Sequence, residues 1–275
     1  MDCAFNLDGG SFVFRVGGVF VHDGYLLAIR GNSGSFYLPG GKAQLYETME
    51  ETLHREIFEE LGLETRVTRM LWFCERTYIH NENPIHEIST YFQAKLDWDR
   101  LPGFPNDFSH LDSDGFLQHF EWLSIDKLNS VKLFPSFLKR QFPNIPKNLL
   151  FDTEMSFSSK KNLPDCKFLT ENGLFNYRVA GVFVHDGRLL AMRESNLTHY
   201  YLPGGRVRLH ESLSEALRRE IREELYCQAK VIRPLWLCES FFSLNINTPV
   251  HELAVYFLAE LDWDGLPTVQ NEFTL

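Results

Sequence analysis

The sequence predicts an α+β protein built from two consecutive copies of one domain-sized unit. Three observations carry this: the length of 275 residues, a long internal repeat, and the order of turn, helix and strand signals within each copy. Arg15-Val16-Gly17-Gly18-Val19-Phe20-Val21-His22-Asp23-Gly24 reappears as Arg178-Val179-Ala180-Gly181-Val182-Phe183-Val184-His185-Asp186-Gly187. Leu38-Pro39-Gly40-Gly41 returns as Leu202-Pro203-Gly204-Gly205, and Leu96-Asp97-Trp98-Asp99 as Leu261-Asp262-Trp263-Asp264. Across positions 38–61 and 202–225, 14 of 24 residues are identical, which makes this a domain duplication and not a solenoid of short repeats.

Within the first copy, Val16–Val21 and Tyr25–Ile29 are β-rich runs joined at Asp23-Gly24, a hairpin signal. A Gly-Gly loop follows, then a helix from Thr48 to Leu61. Thr48 and Glu51 form a capping box, repeated as Ser212 and Glu215. Gly62 reads as a left-handed helix stop. Its counterpart is Tyr226, a bulky residue disfavoured at positive φ, so the second helix is expected to end differently. Further strands fit Val67–Glu75, Glu87–Leu96 and His119–Leu123, with a short helix at Ser136–Arg140. The expected boundaries are a first domain at 1–142, a linker at 143–164 (Pro143, Pro146, a Ser/Lys cluster, Pro164) and a second domain at 165–275. The second copy has no counterpart of Gly103 to Phe142 and is read as C-terminally incomplete. A sheet lacking that segment's strand leaves an edge to be covered by the first copy or by a second chain, so a homodimer or a close contact between copies is expected.

Composition narrows the function classes. An apolar fraction of 44% supports packed cores and argues against disorder. No apolar run approaches the ~20 residues that span a bilayer, and no secretory signal is visible, so no membrane partner is expected. Five cysteines, odd in number and without C-x-x-C spacing, read as reduced thiols of a cytoplasmic protein. A net charge of −10 repels a nucleic-acid polymer, while a small anionic substrate remains open because local basic groups and a cation set the potential in a pocket.

The chemistry lies after the Gly-Gly loop. Glu56, Glu59 and Glu60 stand at i, i+3 and i+4 of the expected helix, so three carboxylates share one face within a turn. Such like charges repel, and a hard divalent cation is one reason to collect them; the plainer alternative is a solvated acidic face. The same set recurs as Glu220, Glu223 and Glu224, with Arg55 and Glu47 matched by Arg219 and Glu211.

The full spacing, Gly41-x5-Glu47-x7-Arg55-Glu56-Ile57-x-Glu59-Glu60-x-Gly62, resembles the Nudix hydrolases at every fixed position of their signature, and copy two departs only at Tyr226 and Cys227. The resemblance implies two tandem α/β/α sandwich domains with mixed sheets. It also implies Mg²⁺-dependent hydrolysis (Mn²⁺ as the alternative metal) of a nucleoside diphosphate linked to another moiety. Glu56, Glu59 and Glu60 would bind metal with the Gly40 carbonyl, while Arg55 and Glu47 brace the loop. The matching positions are Glu220, Glu223, Glu224, Gly204, Arg219 and Glu211. Glu59 or Glu60 is a candidate general base, as is Glu223 or Glu224. Glu87, repeated as Glu252, and the loop acids Asp112 and Asp114 are further candidates. Arg15 and Arg178 are candidate phosphate-binding residues, with a surface ion pair as the alternative. A competing function is a nucleotide-sensing module without turnover. His86-Glu87 and His251-Glu252 lack the second histidine of a zinc-protease motif. Trp72, Phe73, Trp236 and Tyr201 read either as base-stacking groups or, more commonly for their type, as core.

Overall fold

Residues 1–31, 33–101, 104, 106–157, 163–193, 198–244 and 248–263 are described in a computed structural model. Gly103, Asp264 and most of the Ser/Lys cluster of the expected linker lie outside them. The first half forms β1 (Ala4–Leu7), β2 (Gly10–Val19), β3 (Val21–His22), β4 (Tyr25–Arg30), β5 (Ser35–Tyr37) and β6 (Gly40–Lys42). Helix α1 (Met49–Leu61) precedes the long strands β7 (Thr65–His80) and β8 (Asn83–Leu96). Then come β9 (Phe108–Leu111), β10 (Leu117–Ser124), β11 (Lys132–Phe134), α2 (Phe137–Gln141) and β12 (Leu150–Met155). One mixed sheet has the order β1-β2-β8-β7-β12 with β6 on β2; another runs β11-β5-β4-β10-β9 with β3 on β4.

Strand β12 falls inside the stretch expected to be a linker. Its sequence, Leu-Phe-Asp-Thr-Glu-Met, pairs on the edge of β7, so a segment that Pro143 and Pro146 mark as irregular regains a ladder once past them.

The second half repeats the plan as β13 (Lys167–Thr170), β14 (Gly173–Val182), β15 (Val184–His185), β16 (Arg188–Leu189), β17 (Gly204–Arg206), α3 (Leu213–Leu225), β18 (Ala229–Ser243) and β19 (Pro249–Leu261). Here β14 and β19 are parallel, β18 and β19 antiparallel, and β17 pairs antiparallel with β14. The described chain divides into two units. One holds Met1–Ala4, Val13–Arg76 and Glu87–Glu154; the other holds Phe5–Phe12, Thr77–His86 and Met155–Leu275. Two short segments from the first half of the sequence therefore belong to the second unit, where Phe5 stacks on Phe168 at 3.9 Å and Phe12 lies against Phe175 and Tyr177.

The repeated motifs find local explanations. Asp23 and Gly24, like Asp186 and Gly187, both take positive φ, the two-residue turn that matches strand twist. Trp98 of the Leu-Asp-Trp-Asp motif stacks on His22 of the first hairpin at 4.9 Å, and Trp263 on His185 at 4.6 Å. Trp72 and Phe73 are buried and belong to the core, not to an exposed stacking platform. No helix among the described residues is long and apolar enough to cross a membrane. None of the five cysteines is in a disulfide.

Both box helices carry the expected capping box, with the Thr48 and Ser212 side chains accepting from the Glu51 and Glu215 N–H. Their C-termini overturn one expectation: Tyr226 adopts φ 55°, ψ 21°, almost the values of Gly62 at φ 65°, ψ 22°. Packing of Leu213, Leu217, Ile221 and Leu225 fixes the helix, and the left-handed turn is imposed on a tyrosine that projects into solvent. The conformation costs on the order of 1 kcal/mol for a residue with a Cβ. Tyr226→Gly is therefore expected to raise stability by about 1 kcal/mol. A denaturant midpoint equal to or below that of the wild type would show that the tyrosine is not strained.

Candidate active site

The phosphate-box geometry begins with two glycines. Strand β6 pairs with β2 so that Gly40 faces Gly17 and Gly41 faces Val16. Gly40 has φ 131°, and a Cβ there would lie 2.2 Å from the Val16 carbonyl oxygen. At Gly41 a Cβ would lie 2.0–2.3 Å from the carboxylate atoms of Glu56. The glutamate thus occupies the space that any other residue at 41 would fill. Gly204 and Gly205 repeat this, with contacts of 2.3 Å to Val179 O and 2.4–2.5 Å to the Glu220 carboxylate.

Helix α1 buries Met49, Leu53, Ile57 and Leu61 and turns its acidic face toward this loop. Arg55 organises that face. Its Nε and Nη2 donate to the two oxygens of Glu47 at 2.8 and 2.9 Å. Its Nη1 donates to Glu56 at 2.8 Å and Glu59 at 3.1 Å, and its Nη2 to the Lys42 carbonyl at 2.9 Å. In the second unit Arg219 makes the same five bonds, to Glu211, Glu220, Glu223 and the Arg206 carbonyl, at 2.6–3.2 Å. A planar fork with fixed donors suits this multidentate task in a way that lysine does not.

Glu60 accepts the Gly40 N–H at 3.1 Å, as Glu224 accepts that of Gly204 at 3.0 Å. Arg15 Nη2 reaches the Gly40 carbonyl at 3.4 Å. Burial pushes the Glu60 carboxyl up to about 8, with the Glu56 charge adding to it. Burial also raises Glu56, against the pull of Arg55, and raises Glu224. Carboxylates held above their ordinary range by burial and by one another lack positive charge.

The donor set fits a hard divalent cation: glutamate oxygens, the Gly40 carbonyl, and a carboxylate seated where Gly41 leaves room. As the side chains stand, no three His, Cys, Asp or Glu groups among the described residues are gathered closely enough to enclose a metal ion. Arg55 draws Glu56 and Glu59 to itself while Glu60 faces the Gly40 N–H.

The other candidates are placed apart from this role. Glu87 is buried, and its Oε1 accepts from Arg76 Nε and Nη2 at 2.9 and 2.7 Å and from Ser89 at 2.8 Å. A carboxylate so tied to a guanidinium is a poor proton acceptor, which argues against Glu87 as the general base. Glu252 accepts from Asn176 at 2.8 Å and lies 3.7 Å from Arg178, so Arg178 is in an ion pair. Against desolvation, the N–H groups of Phe116, Asp114 and Gly115 and the side chain of Gln118 together hold Asp112 below its ordinary value. Asp112 and Asp114 shape a turn, whose Ser113 N–H donates to the Glu59 carbonyl at 3.1 Å. The roles of Gly41 and Arg76 were not read from the sequence. The Gly-Gly pair was a visible signal for the first; nothing local marks Arg76 as the partner of a glutamate eleven residues on.

A family profile described as the NUDIX domain matches residues 13–145 and 176–274. The chain belongs to the NUDIX family. It is a hydrolase of phosphoric anhydrides. No match was found among curated proteins. Similar solved structures include a NUDIX hydrolase from Nitrosomonas europaea, 17% identical, covering 55% of this chain and 79% of that one at a TM-score of 0.38. A mutator MutT protein from Bacillus halodurans is 18% identical, covering 52% and 89%, at 0.36. An ADP-ribose pyrophosphatase from Streptococcus suis is 14% identical, covering 51% and 98%, at 0.34. Likenesses of this size carry no argument about substrate.

Proposed function

We propose that this NUDIX protein hydrolyses a pyrophosphate bond in a nucleoside diphosphate linked to another moiety, with Mg²⁺ or Mn²⁺ as cofactor. The substrate class comprises ADP-ribose, nucleotide sugars, dinucleoside polyphosphates and nucleoside triphosphates. The carrying observation is the Glu56, Glu59 and Glu60 face arranged by Arg55 and Glu47 against Gly40-Gly41, repeated bond for bond at Glu220, Glu223 and Glu224. A sensing module would have no need of every carboxylate in both copies.

Glu56, Glu59 and Glu60 would hold the cation together with the Gly40 carbonyl. Bound Mg²⁺ supplies charge neutralisation at the pyrophosphate and lowers the pKa of a coordinated water. Arg55 keeps Glu56 and Glu59 on one side of the helix, and Arg15 stands at the Gly40 carbonyl, where a phosphate oxygen can meet its guanidinium. Of the two metal-face carboxylates bonded to Arg55, Glu59 takes the longer bond, 3.1 Å against 2.8 Å for Glu56, and is the more exposed to solvent; it is the proton acceptor we assign.

Glu59→Gln keeps the side chain's shape and removes its charge. Turnover of whichever compound a panel of ADP-ribose, UDP-glucose, diadenosine tetraphosphate and NADH identifies should fall at least about tenfold, with unfolding nearly unchanged. Wild-type rates at saturating Mg²⁺ would remove Glu59 from the mechanism. Chelation should abolish turnover and Mg²⁺ should restore it; recovery with Zn²⁺ alone would point to a different site.

A further inference from the structure

In both copies the residue before the bracing glutamate stands in the left-handed region without being glycine: Tyr46 at φ 67° and His210 at φ 60°. The backbone angle at 210 decides where Glu211 is delivered, and Glu211 holds Arg219 through two bonds, while Arg219 holds Glu220 and Glu223. A strained angle persists only where its surroundings over-determine it.

In the second unit those surroundings are specific. The His210 N–H donates to His86 Nδ1 at 3.0 Å, and His210 Nε2 lies 3.0 Å from the Gly9 carbonyl. His86 is fully buried and His210 is 3% exposed, so neither bond is exchangeable with water. The Phe157 ring meets His210 edge-on at 5.0 Å. A Cβ on Gly10 would lie 2.8 Å from His210 Nε2 and 2.2 Å from the Pro84 carbonyl oxygen, so the fit around the imidazole excludes even a methyl group. Because the Gly9 carbonyl can only accept, His210 carries its proton on Nε2; because His86 Nδ1 accepts, the His86 proton is on its own Nε2. Gly9, Gly10, Pro84 and His86 all come from the first half of the sequence and all belong to the second unit.

We propose that His86 is a positioning residue for the second carboxylate box: by accepting the His210 N–H it fixes the left-handed turn that aims Glu211 at Arg219. The second box is then not self-sufficient, because its brace depends on a residue encoded in the first repeat. This rests on the reading above that Glu220, Glu223 and Glu224 take a divalent cation.

The test uses the full chain with the first box disabled by Glu56→Gln/Glu59→Gln/Glu60→Gln, and Mn²⁺ binding followed by electron paramagnetic resonance. His86→Phe keeps a ring in the core and removes the acceptor. His86→Asn removes the ring and keeps an acceptor near the Nδ1 position. A buried N–H left without a partner should cost His86→Phe about tenfold in Mn²⁺ affinity, while His86→Asn stays within about threefold of its parent. The proposal is overturned if His86→Phe binds as the parent does, if His86→Asn falls as far as His86→Phe, or if the asparagine variant is the weaker. Should His86→Phe not fold, a His86→Asn variant about tenfold or more weaker than its parent overturns the proposal; should His86→Asn not fold, a His86→Phe variant that binds as its parent does overturns it. A parent that binds no Mn²⁺ would overturn the metal reading of the second box and this proposal with it, a result separable from a parent that binds and a His86→Phe variant that does not differ.

Discussion

Replacing Glu56, Glu59 and Glu60 together by glutamine is expected to remove about nine-tenths or more of the turnover, whereas Glu220→Gln/Glu223→Gln/Glu224→Gln should leave more than about half. The two boxes have the same internal bonds, so the difference lies in what surrounds them. In the first unit the turn at Asp112–Gly115 docks on the end of the box helix through the Ser113 N–H and the Glu59 carbonyl. Glu60 is buried deeply enough for its carboxyl to be pushed up to about 8; Glu224 is raised in the same direction by a lesser burial. On β7, Leu71, Trp72 and Cys74 are buried in a cluster with Leu123, Leu128, Leu133, Phe137, Leu138 and Phe142. On the equivalent strand of the second unit Trp236 is 54% exposed. The deeper burial of Glu60 than of Glu224 makes the charge at that position act more strongly on a pyrophosphate in the first site than in the second. Both triple variants should unfold at nearly the wild-type temperature, since every substitution preserves side-chain shape. If the first-box variant keeps most of the activity while the second-box variant loses it, the working site is the other one.

How far the sequence reaches can be judged residue by residue. The capping boxes, the Asp-Gly hairpins and the Glu56, Glu59, Glu60 face depend on interactions within a few positions, and all are legible from spacing. The same holds for Arg55 and Glu47, eight residues apart, with Arg55 about two turns inside the helix that starts just after Glu47. What was not legible depends on long-range partners. Strand β12 exists because β7 offers it an edge, and nothing in Leu150–Met155 names that edge. Glu87 reads from the sequence as a candidate base, and its partner Arg76 stands beside it only across the β7–β8 pair. Tyr226 broke a local rule because the tertiary packing of α3 outweighs the preference of one residue, which is how propensities ordinarily fail. His86 is the extreme case: its partner is 124 positions away, and the strain it supports at His210 is invisible without φ.

Gly41→Ala should lower turnover about 100-fold while changing the fold little. The backbone at 41 is not in the left-handed region, so alanine meets no conformational penalty there. The obstacle is the Glu56 carboxylate at 2.0–2.3 Å from the new Cβ, well inside any tolerated contact. Because the clashing atoms end a flexible side chain, the strand can stay and the carboxylate must leave. Once displaced, Glu56 no longer sits beside Glu60, and misplacement of a reacting or ligating group by about 1 Å is enough for a 100-fold loss. Gly40→Ala is a different lesion. Its φ of 131° and the Val16 carbonyl at 2.2 Å put backbone against backbone, so that variant should lose stability as well as turnover. Two comparisons isolate the Gly41 effect. Gly205→Ala creates the same clash with Glu220 and should cost little turnover if the first box does the work. The double variant Gly41→Ala/Glu56→Gln should be no slower than the slower of its two parents, since both changes remove the same carboxylate from the same place. A fully additive double variant, or a Gly41→Ala enzyme above about a third of the wild-type rate, would mean that the seat against Gly41 is not where Glu56 acts.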